Sequence, residues 1–128
     1  MTDPIDRIFV EGAAPPAGHY SPATAWRDLV FVSGQLPVRP DGSHSFDQPF
    51  EVQARQVLDN LLAVLAAAGS SPERVLKVTV YVTGIQHWPA FNRLYAEAFG
   101  EAKPARAVVP VPELHHGYLV EVEAIAAR

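Results

Sequence analysis

Arg106 is the residue with the most chemistry at stake in this chain of 128 residues. It is the only charged side chain between Lys103 and Glu113, in a run otherwise made of Ala, Val and Pro. A guanidinium keeps its proton inside a protein, so burying it without an acceptor is very costly. The partner is either Glu121 or Glu123 within the fold, or an anion from outside. The first case gives a structural ion pair; the second gives a binding site, because the planar fork matches a carboxylate.

The two glutamates belong to a strand pattern. Val120, Val122, Ala124 and Ala126 fall on one side of it, while Leu119, Glu121, Glu123 and Ile125 fall on the other. Two carboxylates flanked by Leu and Ile do not make an ordinary solvated face. That face is expected to be a subunit interface or the wall of a site. The adjacent His115 and His116 would point to opposite sides of a strand, so they cannot readily chelate one ion, and a loop or cleft-rim role is expected. His19 stands next to Tyr20, either entering a cleft or lying on the surface. No metal site is expected. No phosphate-cradling glycine loop and no Ser-His-Asp arrangement can be assembled.

The whole chain narrows the classes. With 48% hydrophobic and 19% charged residues, it has the makings of one packed domain, residues 1–128. The net charge is −4 with no Lys/Arg cluster, which argues against a nucleic-acid partner. The absence of cysteine excludes a disulfide framework, thiolate zinc and thiol catalysis. No apolar run reaches the ~18 residues of a membrane span. A soluble, cytoplasmic domain is the expectation.

Positioning elements follow from periodicity. A short strand is predicted at residues 8–10, then a proline-rich loop leading to His19-Tyr20-Ser21. Two strands, at residues 23–26 and 29–33, form a hairpin around Arg27-Asp28. Gly34 then marks a bulge or a close approach to the backbone. Steps of three and four among Phe50, Ala54, Val57, Leu58, Leu61, Leu62 and Leu65 predict a helix over residues 49–68, with Pro49 in its first position and Gly69 as its stop. A strand at 75–83, a helix from about Pro89 to Gly100, and strands at 106–111 and 118–126 complete the order. Trp26 and Trp88 are read as packing residues. The order suits an α+β layer: one mixed, largely antiparallel sheet of about six strands with both helices on one face.

Taken together, several stretches resemble the reactive-intermediate deaminases, the Rid or YjgF family, also described as endoribonuclease L-PSP-like. They are Phe31-Val32-Ser33-Gly34-Gln35-Leu36-Pro37, the helix Gln53 to Asn60, Ala67-Ala68-Gly69-Ser70-Ser71, Val75 to Tyr81, Pro104-Ala105-Arg106 and Val120 to Ala126. The likeness spans nearly the whole chain. It implies a chorismate-mutase-like subunit, a homotrimer with sites between subunits, and hydrolysis of reactive enamines or imines such as 2-aminoacrylate to 2-oxo acids and ammonia, without a cofactor.

By the same resemblance, Arg106 corresponds to the arginine that grips the substrate carboxylate and Glu121 to the glutamate that manages the attacking water. Tyr20 lines the cleft, Ser33 and Gly34 form the strand edge beside the substrate, and Asn92 sits near the site on the second helix. The chain also departs from the family. Ala107 stands where serine is usual, Gly18-His19-Tyr20-Ser21-Pro22 replaces Gly-Pro-Tyr-Ser-Gln, and Leu114 to Tyr118 replaces a Pro-Lys-Asp type of turn. These departures keep two other functions open. One is a non-catalytic trimer that binds small carboxylates or a regulatory partner. The other is deamination of a larger substrate such as 2-aminomuconate.

Overall fold

A computed structural model describes residues 2–128. Six strands and two helices follow in the order β1 (Ile5–Ile8), β2 (Ala23–Trp26), β3 (Leu29–Gln35), α1 (Phe50–Ala67), β4 (Val75–Val82), α2 (Trp88–Phe99), β5 (Ala105–Pro110) and β6 (Val120–Ala127). They form one sheet in the order β1-β2-β3-β6-β4-β5. All neighbours are antiparallel except β4 and β5, which run parallel because α2 carries the chain back between them. Among the described residues, no helix is long and apolar enough to cross a membrane.

The α+β reading holds. Helix α1 buries Phe50, Ala54, Val57, Leu58, Leu61 and Leu65 against the sheet, and Leu62 is half-buried. Complete burial of a leucine such as Leu61 or Leu65 stabilises the fold by about 1.5–3 kcal/mol. Its end is a Schellman closure. Gly69 turns left-handed at φ 78°, its N–H donates to the Ala66 carbonyl, and Ser70 N–H donates to Leu65 at 2.9 Å. Pro49 caps the helix from outside instead of taking its first position, offering its carbonyl to Val52 and Gln53.

Local hydrophobicity misplaced the first strand. It is Ile5–Ile8, not residues 8–10, because pairing with β2 (Ile5 to Trp26, Ile8 to Ala23) decides an edge strand more than its own apolar content. Pro110 and its neighbours are tolerated since β5 is the opposite edge. Trp26 and Trp88 are each 39% exposed in the single chain, so neither is a core residue there.

Two bulges tune β6's neighbours. On β4, Val75 pairs with Ala126 and Lys77 with Ile125, which lets Val75 stay buried alongside Val78, Val80 and Val82. On β3, Val32 pairs with Ala124 but Gln35 with Val122, so β3 advances three residues while β6 advances two. The extra residue lies at Ser33-Gly34, where the sequence pointed to a bulge.

Candidate active site

The register of β5 decides where Arg106 points. Val78 of β4 is its partner, and Val78 is completely buried beneath the helices. Registered neighbours share a face, so Arg106 lies on the helix side, with Val108 packing against the core behind it. There its Nη1 donates to Asn92 Oδ1 at 3.0 Å, and its guanidinium carbon sits 4.7 Å above the ring of Tyr95. Asn92 and Tyr95 are three residues apart on α2 and so face the same way. None of the ion pairs among the described residues involves Arg106.

Glu121 points the other way. Its partner across β4 is Tyr81, on the face that the helices leave open. Arg106 therefore pairs with neither Glu121 nor Glu123 in this chain, and the structural pair entertained from sequence is replaced by Asn92 and the Tyr95 ring. Glu123 instead accepts a hydrogen bond from the Tyr81 hydroxyl at 2.6 Å.

The Glu121 carboxyl lies directly against Gly34. A Cβ built on Gly34 would stand 3.1 Å from Glu121 Cδ and collide with Oε2. Gly34 is thus both the bulge and the close approach that its position suggested. Ser33 ties the same bulge to the loop before β2: its Oγ donates to the Ser21 carbonyl at 2.6 Å, and its N–H donates to Pro22. Tyr20, 53% exposed, precedes that anchored pair. Partial burial pushes the Glu121 carboxyl above its ordinary range; the charge of His115 opposes this and that of Glu123 adds to it. A carboxylate kept short of solvent is a stronger base than a free one.

The sequence-predicted residues thus form two clusters. Ser33, Gly34 and Glu121 belong together, with Tyr20 one residue before the Ser21 carbonyl that Ser33 holds; Arg106 and Asn92 form a second group on the other side of the sheet. Ala107 is on the open face, registered against Thr79, and is half-buried. Sequence reasoning did not single out Tyr95. The signal that could have singled it out is its spacing of three from Asn92.

His115 and His116 sit on a short 3-10 turn, not a strand, with His116 at φ 61°. The His116 ring lies 4.5 Å from that of His44, whose Nδ1 is 2.7 Å from the Tyr118 hydroxyl. Among the described residues no three metal-capable groups converge.

A groove of about 200 Å³ lies between α1 and α2 over Leu58, Leu62 and Leu94, and a recess of about 140 Å³ covers Lys77, Thr79, Glu123 and Ile125. Both leave out Arg106 and Glu121, and both are smaller than the few hundred Å³ of an ordinary ligand pocket.

Comparison with known proteins places the chain. The family profile described as Endoribonuclease L-PSP matches residues 11–128. A RutC family protein of Pyrococcus horikoshii is 44% identical over 121 residues, covering 94% of this chain and 96% of that one. The structure of RidA from an Antarctic Psychrobacter superposes with a TM-score of 0.90 at 33% identity, covering 96% of this chain and 99% of the other. E. coli TdcF, solved with bound serine, gives a TM-score of 0.89 at 33% identity, covering 96% and 98%. On identity and on coverage from end to end, the chain belongs to the RidA/YjgF family, whose profile carries the Endoribonuclease L-PSP description.

Proposed function

We propose that this protein hydrolyses small 2-imino acids of the 2-aminoacrylate type to 2-oxo acids and ammonia, using sites assembled between copies of a homotrimer. The observation that carries this reading is a division. A guanidinium and a carboxylate, both half-buried and neither ion-paired among the described residues, face opposite sides of one sheet. In the proposed trimer a second copy covers the open face and supplies its Arg106 to the site that holds this chain's Glu121. That face also carries Phe31 and Ile125, registered partners that are 44% and 37% exposed, with Trp26 nearby. Apolar exposure of this kind suits a subunit contact. The serine named with E. coli TdcF, a small amino acid carrying a carboxylate, points to the same ligand class.

The chemistry needs little more than orientation, one base and one water. Arg106 grips the carboxylate with the donors that Asn92 leaves free. Water attacks the carbon of the protonated imine while Glu121 takes one water proton, giving a neutral carbinolamine. Glu121 then returns that proton to nitrogen, the C–N bond breaks, and the hydroxyl proton passes to the departing ammonia, leaving the ketone and ammonium. Positioning and general-base catalysis are sufficient for an already electrophilic imine.

Ala107 favours a second reading, because it removes a hydroxyl beside the site: a trimer that binds small carboxylates without turning them over. Freshly generated 2-aminoacrylate separates the two. The deaminase reading expects keto-acid and ammonia release above the buffer rate, reduced roughly 10- to 150-fold at low substrate in Arg106→Ala, the worth of a charged hydrogen-bonded contact. Wild-type protein no faster than buffer, while still binding a 2-oxo acid in calorimetry, would leave only the binding reading.

A further inference from the structure

Arg106 is held from one side only. It sits on the edge strand of the sheet, and among the described residues its one side-chain hydrogen bond runs to Asn92. Yet bidentate capture of a carboxylate requires the guanidinium plane to be fixed. What fixes it is the ring beneath. Tyr95 is only 7% exposed and is wedged between Phe91, with centroids 5.6 Å apart, and Phe99, at 4.4 Å and nearly parallel. These neighbours stand one turn before and one turn after it on α2, so the ring cannot swing. The guanidinium therefore rests on a rigid π face, while Asn92 on the same helix face sets its rotation in the plane.

We infer that Tyr95 is a positioning residue for carboxylate recognition and acts through the face of its ring, with its hydroxyl taking no part. This rests on the reading of Arg106 as a carboxylate grip. The hydroxyl is buried and has no hydrogen-bond partner among the described residues. Burial raises its pKa to about 12, Arg106 pulling the other way, so no phenolate forms as a counter-charge at neutral pH. What remains is the attraction of a cation for an aromatic face within about 6 Å.

Two substitutions separate ring from hydroxyl, with pyruvate as the probe in calorimetry. Tyr95→Phe should bind pyruvate within about twofold of wild type and unfold at the same temperature or higher, having lost an unpartnered buried hydroxyl. Tyr95→Met, similar in length but without a π face, should weaken pyruvate binding roughly five- to thirtyfold. In turnover assays that loss should appear in KM, with kcat little changed, because the carboxylate is gripped equally before and during reaction. A merely structural role would lower the melting temperature and leave the affinity of the folded fraction unchanged; that result, or Tyr95→Phe binding as poorly as Tyr95→Met, overturns the inference. If Tyr95→Met does not fold, the Arg106 side-chain proton resonances decide. Ring-current shifts kept in wild type and in Tyr95→Phe support the platform, and their absence from wild type refutes it. Wild-type protein that fails to bind pyruvate at all overturns the carboxylate reading itself, and the inference with it.

Discussion

Arg106 and Glu121 point to opposite faces of one sheet. The guanidinium lies under α2 with Asn92 and Tyr95, and the carboxyl lies on the open face against Gly34. Strand β4 lies between the two, pairing Val78 with Arg106 and Tyr81 with Glu121, so both the intervening strand and the sheet itself keep them apart. Each residue keeps unused binding capacity as a result, which is what the proposed site between two chains would use.

Removing the charge of Glu121 should cost activity and add stability. Replacement by Gln is expected to lower kcat by about 10²–10⁴-fold, the usual worth of a general base. Burial lifts this carboxyl above its ordinary value of 4.5, so the folded chain holds the proton more tightly than the unfolded one. Stability then falls as pH rises from 4.5 through the folded value, and the ionised side chain is a liability at neutral pH. Glu121→Gln should therefore melt higher than wild type at pH 7, with the difference closing below about pH 4.5 in thermal scans.

Gly34 leaves room for the carboxyl. Its replacement by Ala would place a Cβ against Glu121 and push the side chain off the bulge. Activity should drop on the order of 10²-fold, yet Gly34→Ala combined with Glu121→Gln should be no worse than Glu121→Gln alone, since both act on one group. Independent losses that multiply would show that Gly34 matters for another reason.

Gln53 tests the scaffold apart from the chemistry. It is completely buried on α1, donates to the carbonyls of Phe46 and Gln48, and accepts from Leu119 N–H at 2.9 Å. It thereby fastens the loop before α1 to the start of β6. Gln53→Leu leaves those groups without partners and should destabilise the protein by about 2–4 kcal/mol in urea unfolding, with activity per folded molecule unchanged.

Much of this was readable from sequence wherever a signal repeats. The three-four spacing from Phe50 to Leu65 announced α1, Gly69 its end, and the alternation from Leu119 to Ala126 placed Glu121 and Glu123 on the open face. The face of Arg106 was not readable. Ala105, Ala107, Val108 and Val109 are small and apolar on both sides, so parity carries no information, and only the parallel register of Val78 against Arg106 settles it. Tyr95 was hidden for a related reason: its partner arrives on an edge strand that follows in sequence. The burial of Gln53 and Tyr118 was not readable either, because their hydrogen-bond partners include segments distant in sequence.

Subunit complementation tests the divided site most directly. Arg106→Ala and Glu121→Gln are unfolded together in equal amounts, refolded, and assayed with 2-aminoacrylate well below the KM of the wild type, where Arg106→Ala alone should keep about a tenth of the activity or less. If each site takes Arg106 from one chain and Glu121 from the next, random assembly leaves half of the chains sound at each position. About one quarter of the sites, and of wild-type activity, should then return. Activity no higher than the mean of the two variants, in a mixture verified to contain mixed trimers, would contradict a site shared between chains.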